Sequence, residues 1–234
     1  VDQHGSCEYR MKQVESTFRV PFVSQEIELK LLVDPAQRDK VFALCEQLAG
    51  TSPTVVELVN SYFDTPDLQL RHYDIGLRIR QCGLQREQTV KLAGAVTAGI
   101  HARPEFNCPI DDDHPDLTHF DAGIWPADFP LTSINSQLQQ LFQTNFTRHR
   151  WHIASGQGRI ELVFDEGQVL AGTKEQAICE IELELQGGDL TDALTLARQL
   201  LNITGTQLGS LSKAARGYLL AGLSQLKAKP KPLY

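Results

Sequence analysis

The sequence lacks any uninterrupted apolar run approaching the ~18 residues of a membrane-spanning helix, and it has no signal-peptide pattern, so no membrane partner is expected. Five cysteines (Cys7, Cys45, Cys82, Cys108 and Cys179) are odd in number and scattered without C-x-x-C spacing. That disfavours a zinc site or a disulfide framework and points to a reducing, cytoplasmic compartment. The seven histidines form no H-x-x-x-H pair, which leaves oxygen atoms as the expected ligands of any metal. Positive charge is in deficit: the net charge of -7 argues against generic nucleic-acid binding, although it allows a locally basic cavity. Aromatic residues make up only 7%, and Trp125 and Trp151 read as core rather than as base-stacking platforms. Internal repeats and low-complexity segments are also missing.

What is present is charge at strand spacing. In Gln25-Glu26-Ile27-Glu28-Leu29-Lys30, side chains alternate faces on a strand, so Glu26, Glu28 and Lys30 share one face while Ile27, Leu29 and Leu31 share the other. Near the other end, Cys179-Glu180-Ile181-Glu182-Leu183-Glu184-Leu185 sets three carboxylates on one face. Between them, cations recur with the same period: Arg78 and Arg80, then Lys91, then Arg103 alternating with Glu105, then Arg148 and Arg150. Each strand alone fits an antiparallel sheet with one wet face. Together they segregate acid onto two strands and base onto at least three, an arrangement suited to holding a polyanion through divalent metal and direct phosphate contacts.

Periodicity and turn residues predict strands over about 24–33, 54–63, 75–82, 86–93, 101–110, 145–154, 159–170 and 177–186. Helices are expected from Pro35 to Ala49, Ser133 to Phe142 and Leu190 to Leu201 (capped by Asp189), and after Ser212, where Lys213 and Arg216 fall on one side. Asp67–Tyr73 reads as a short helical link exposing Arg71, and Gly94–Gly99 as a turn. Residues 1–24 are set aside as an N-terminal extension, 25–223 form the domain, and 224–234 read as a basic linker or tail. About eight strands with few helices give an α+β, mainly β class: an eight-stranded antiparallel β-barrel with flanking helices. A barrel lined by charge must be water-filled and open to ligand, because each unpaired buried charge costs several kcal/mol.

Glu26-Ile-Glu-Leu-Lys30 resembles the E-x-E-x-K motif of the CYTH superfamily, the triphosphate tunnel metalloenzymes. Gly76-Leu-Arg-Ile-Arg80, Thr89-Val-Lys91, Arg103-Pro-Glu105 and Glu180-Ile-Glu182-Leu-Glu184 follow in that family's order. Ser210-Leu-Ser-Lys213-Ala-Ala-Arg216-Gly-Tyr218 is similar to the group of bacterial inorganic triphosphatases. The resemblance runs from about Gln25 to Leu223. It implies an eight-stranded tunnel that hydrolyses inorganic triphosphate to pyrophosphate and phosphate with Mg²⁺ or Mn²⁺. A helical CHAD domain would follow in a full-length protein, but this chain stops at Tyr234, and its motif lies farther from the start than the family's usually does.

The implied roles are as follows. Glu180, Glu182 and Glu184 would hold a metal, and Glu26 and Glu28 would face a second metal or the attacking water. Lys30, Arg78, Arg80, Lys91, Arg148, Lys213 and Arg216 would bind phosphoryl oxygens, with Glu26, Glu28 and Lys30 closest to the chemistry. Arg103 is left open between phosphate ligand and partner of Glu105. Asp165, ahead of Gly167, reads as a turn residue rather than a metal ligand. Alternatives are an enzyme for an organic triphosphate (thiamine triphosphatase, nucleoside triphosphatase or class IV adenylyl cyclase) or a non-catalytic polyphosphate-binding module.

Overall fold

The computed structural model describes residues 24–97 and 100–223, with residues 24–26, 95–97 and 101 as backbone only. The expected extension, Ser24 apart, and the tail therefore lie outside the described residues. Among the described residues ten strands form: β1 (Ser24–Val33), β2 (Thr54–Asp64), β3 (Gly76–Cys82), β4 (Gln85–Lys91), β5 (Ala95–Thr97), β6 (Ile100–Pro109), β7 (Gln139–Ser155), β8 (Gly158–Ala171), β9 (Lys174–Gly187) and β10 (Thr206–Leu208). Among the same residues five α-helices accompany them: α1 (Arg38–Ala49), α2 (Gln69–His72), α3 (Leu131–Asn135), α4 (Leu190–Leu201) and α5 (Lys213–Leu220).

Eight strands close in the order β1-β9-β8-β7-β2-β3-β4-β6, and β6 returns to pair with β1. Every pairing is antiparallel, β10 extends β1, and β5 extends β6. Closure leaves the eight wall strands without a free edge. The expected eight-stranded antiparallel barrel is therefore what forms.

Around most of the wall the apolar parity faces outward. Leu29 and Leu31 of β1, Ile181 and Leu183 of β9, Ile160, Leu162 and Phe164 of β8, and Trp151 of β7 pack beneath α1 and α4. On the opposite flank Leu77, Ile79, Val90 and Phe106 pack against Leu117, Phe120, Ile134 and Leu138, which come from the irregular segment after β6 and from α3. At about 1.5–3 kcal/mol for each fully buried side chain of this size, these two external cores hold the wall together. The opposite parity, which carries the charges, is thereby forced into the lumen.

Helix starts follow their capping residues: Asp189 accepts from Thr191 N at 2.7 Å and Ser212 from Ala215 N at 3.1 Å. Two expectations fail. The helix over Ser133–Phe142 shrinks to Leu131–Asn135, because the chain from Gln139 onward pairs with β2 as the first part of a 17-residue strand. Ile134, Leu138, Leu141 and Phe142 have helical spacing, but Ile134 and Leu138 bury against the outer core while Phe142 points to the lumen and stacks on Tyr62 with centroids 4.7 Å apart. Within the expected 94–99 turn, Ala95–Thr97 is strand and pairs with β6. Among the described residues, no helix is long and apolar enough to cross a membrane.

Candidate functional site

Register decides which charges meet inside. Lys30 on β1 lies opposite Glu182 on β9, Glu180 lies opposite Asp165 on β8, and Asp165 lies opposite Arg148 on β7. Lys30 Nζ donates to Glu180 Oε1 at 2.8 Å and also to Glu182. Arg148 donates through Nε and Nη2 to the two oxygens of Asp165 at 2.8 and 2.7 Å, and Nη2 reaches Glu182 at 2.9 Å. From α5, Lys213 Nζ lies 2.6 Å from Asp165, 2.5 Å from Glu180 and 3.0 Å from Glu182, and Arg216 Nη1 lies 3.1 Å from Glu180. Three carboxylates and four cations thus share one knot, in which Asp165 and Glu180 are fully buried.

Electrostatics keep the knot charged. Burial alone would raise the carboxyl pKa values of Asp165, Glu180 and Glu182. Arg148 and Lys213 overcome this at Asp165, Lys213 and Lys30 at Glu180, and Lys213, Lys30 and Arg148 at Glu182, so all three are held low. Burial would likewise drag Lys30 and Lys213 down, yet the carboxylates around them raise both. Each charge is stable only because the others are there.

A second group lines the wall formed by β3, β4 and β6. Lys91 Nζ pairs with Glu105 at 2.6 Å, Asn107 donates to Glu105 at 2.8 Å, and Thr89 donates to Asn107 at 2.7 Å. Burial would raise Glu105, but Lys91 and Arg78 hold its carboxyl well below the usual range. Arg80 Nε donates to Asn60 at 2.9 Å, and Asn60 in turn donates to Thr144 at 3.1 Å, a chain crossing three strands. Arg78 and Arg103 share the inward parity of Arg80 and Glu105.

At one end the inward parity turns apolar. Leu58, Tyr62, Phe142, Phe146, Val169 and Ile178 pack together with Tyr218 of α5, so the helix caps that end of the tunnel from within. Gly217 permits this: a Cβ there would stand 2.0 Å from the Phe142 ring.

Lys30, Arg148, Glu180, Glu182, Lys213 and Arg216 are thus brought together, and Arg78, Arg80, Lys91 and Arg103 lie on the facing wall. Glu28 is buried and lies opposite Glu184 across the β1–β9 ladder. Glu184 is not part of the compact acidic group and accepts from Gln186 at 2.8 Å. The side chain of Glu26 lies outside the described residues, and its backbone pairs with Arg103.

Asp165 overturns its turn reading. It sits mid-strand in β8 with no exposed surface, and a ligand atom from each of Asp165, Glu180 and Glu182 lies within 4.8 Å of the others. The Asp-x-Gly pattern suggested a turn, but Gly167 instead lets β8 approach β7 closely, where a Cβ would lie 2.1 Å from Asn145 O. The inward-facing signal was legible in the alternation Val163, Asp165, Gly167. Asn60 and Thr144 carried no such signal, being uncharged residues next to other polar ones, Ser61 in β2 and Gln143 and Asn145 in β7. Arg71 leaves its expected exposed position and lies over the Tyr218 ring, 5.0 Å from its centroid.

A model of the CYTH domain matches residues 24–218. The inorganic triphosphatase of Haemophilus influenzae is 37% identical over 196 residues, covering 84% of this chain and 55% of the relative, so the chain spans about half that protein's length. Among solved structures, an adenylyl cyclase candidate from Hippeastrum with a dominant triphosphatase activity superposes with a TM-score of 0.61 at 18% identity, covering 83% of this chain and 95% of its own. The PH1819 protein from Pyrococcus horikoshii reaches 0.52 at 17% identity, covering 85% and 98%. The closed barrel, the family match along nearly all the described residues and the identity to the Haemophilus protein point one way: this chain belongs to the CYTH domain family.

Proposed function

We propose that the chain hydrolyses inorganic triphosphate to pyrophosphate and phosphate inside the barrel, with a divalent cation. The observation carrying this reading is the buried knot in which Lys30, Arg148, Lys213 and Arg216 neutralise Asp165, Glu180 and Glu182. A binding module for polyanions gains nothing from buried carboxylates, which repel its ligand. A site that must hold both a polyanion and a hard cation needs both signs. The name of the Haemophilus relative supports the same substrate.

The donor set fits a divalent metal. Asp165, Glu180 and Glu182 offer hard oxygen atoms within 4.8 Å of one another, the ligand type that Mg²⁺ and Mn²⁺ take, and Glu28 and Glu184 stand on the adjoining wall. When bound, such an ion supplies charge neutralisation of the phosphates and lowers the pKa of a coordinated water.

The chain's own residues do the rest. Lys30, Lys213, Arg148 and Arg216 exchange their carboxylate partners for phosphoryl oxygens, so neither sign is left bare in the interior. Arg80, held by Asn60, and Arg78, Lys91 and Arg103 on the facing wall fix the remaining phosphates and stabilise the charge that grows on the leaving pyrophosphate. Glu28 orients the attacking water. The apolar end beneath α5 keeps bulk water from that side. Initial rates of phosphate release from tripolyphosphate, ATP and thiamine triphosphate with Mg²⁺ or Mn²⁺ test the assignment. The highest kcat/KM is expected for tripolyphosphate, and an equal or higher value for either organic substrate would overturn it.

A further inference from the structure

The helix α5 contributes two of the knot's four cations, yet it is only 8 residues long. A helix of that length has little stability of its own in water, so its position must be imposed by tertiary contacts. The apolar contacts to Phe142 and Phe146 give it a surface to rest on but little direction. Apart from the polar contacts of Lys213 and Arg216 themselves, the helix holds a further directional one: the Tyr218 hydroxyl donates to Asp64 Oδ2 at 2.9 Å.

Asp64 is built to receive it. It ends β2, has no exposed surface, and accepts from the backbone N–H of Thr65 at 2.8 Å, Leu70 at 2.8 Å and Arg71 at 3.1 Å. Those three amides belong to the turn and to α2, so the carboxylate is locked to the barrel wall before Tyr218 arrives. Burial, reinforced by the nearby carboxylate, pushes the phenol's pKa well above its ordinary value, which keeps the proton on the donor. The Arg71 guanidinium lies over the ring. Packing alone would be served by phenylalanine. A buried phenol on a buried carboxylate incurs desolvation in exchange for fixed geometry.

We propose that Asp64, acting through the Tyr218 hydroxyl, is a positioning residue that sets where Lys213 and Arg216 stand in the tunnel. The contacts at stake are short, 2.5–3.0 Å from Lys213 to its three carboxylates, so a displacement of about 1 Å removes them. The kinetic consequence rests on the triphosphatase reading, whereas the anchoring itself does not.

The test uses Tyr218→Phe and Asp64→Asn in two backgrounds, wild type and Lys213→Ala/Arg216→Ala. Hydrogen–deuterium exchange of residues 213–220 is followed alongside kcat/KM for tripolyphosphate. In the wild-type background Tyr218→Phe is expected to speed exchange in α5 and to lower kcat/KM about tenfold, the equivalent of roughly 1.4 kcal/mol. In the double-alanine background the same change should alter the residual kcat/KM by less than about twofold, because the residues being positioned are gone. Equal losses in both backgrounds, faster exchange with unchanged kinetics, or unchanged exchange would each overturn the proposal. Tyr218→Phe keeps the packing surface, so it decides the matter even if Asp64→Asn fails to fold. A wild-type protein that hydrolyses no triphosphate would sink the functional reading alone, and exchange in α5 would then decide the anchoring.

Discussion

Asp165→Asn isolates the cost of the buried charge knot. The amide keeps the shape of the carboxylate but leaves the Arg148 fork and Lys213 facing a neutral group in a fully buried position. Removing one partner of a buried ion pair costs about 3–5 kcal/mol. The lower end applies here, because Arg148 retains Glu182 at 2.9 Å and Lys213 retains Glu180 at 2.5 Å. A loss of about 3 kcal/mol should lower Tm by roughly 6–12 °C in a chain of this size. The molecule carries its own control on the outer wall. Arg38 binds Glu166 through the same two-pronged geometry, at 2.9 and 2.7 Å, but those side chains are 34% and 29% exposed. Water screens that pair, so Glu166→Gln should cost no more than about 1 kcal/mol. Urea denaturation of both variants at neutral pH, with no phosphate or divalent cation present, makes the comparison. If Asp165→Asn is no more destabilising than Glu166→Gln, the lumen is screened like the surface and the reasoning about paired buried charge is wrong.

Three further outcomes are expected. Glu28→Gln should lower kcat at least about a hundredfold in saturating cation while leaving Tm unchanged or higher, since it removes one carboxylate from the Glu28–Glu184 pairing; near-normal kcat would make Glu28 structural. Gly217→Ala should destabilise by about 1–3 kcal/mol and raise KM, because its Cβ would lie 2.0 Å from Phe142 and push α5 outward; wild-type Tm and KM would show that α5 is seated elsewhere. Stability should also fall at both ends of the pH scale. Asp165, Glu180 and Glu182 are held below their ordinary 3.8 and 4.5, so their contribution is complete above those values and is lost as pH falls through the lower folded-state pKa values. Lys30 and Lys213 are raised from 10.5, so theirs is complete below 10.5 and lost as pH rises through the higher values. A titration of unfolding free energy that is flat below pH ~4 would contradict the carboxylate half of this account.

The barrel and most of its lining were legible because alternation at a period of two is a strong local signal that also encodes the face. Glu28, Lys30, Glu180 and Glu182 each announce themselves as a charge between apolar neighbours, and Arg80 and Arg148 as cations repeated two residues apart with Arg78 and Arg150. Lys213 and Arg216 were legible for a different reason, a cap at Ser212 followed by cations on one helical side. Where the reading failed, long-range pairing outweighed local pattern. The stretch from Ile134 to Phe142 has helical spacing, but β2 supplies a partner from Asp64 back to Thr54, and the ladder wins from Gln139 onward. Asp165 departs from its turn reading because Asp ahead of Gly is a turn signal in isolation, which masked the alternation that the register with Arg148 and Glu180 makes decisive. Asn60, Thr144, Asp64 and Tyr218 act through partners distant in sequence, as in the Tyr218–Asp64 bond, which no local pattern records.

The central claim is that this tunnel cleaves a triphosphate anion and does so only with a divalent cation. Phosphorus-31 NMR of tripolyphosphate with the wild-type chain and Mg²⁺, repeated with excess EDTA, tests it directly. The expected result is pyrophosphate and phosphate in equal amounts with the cation and no turnover with the chelator. Intact tripolyphosphate in both samples, or equal turnover in both, would contradict it.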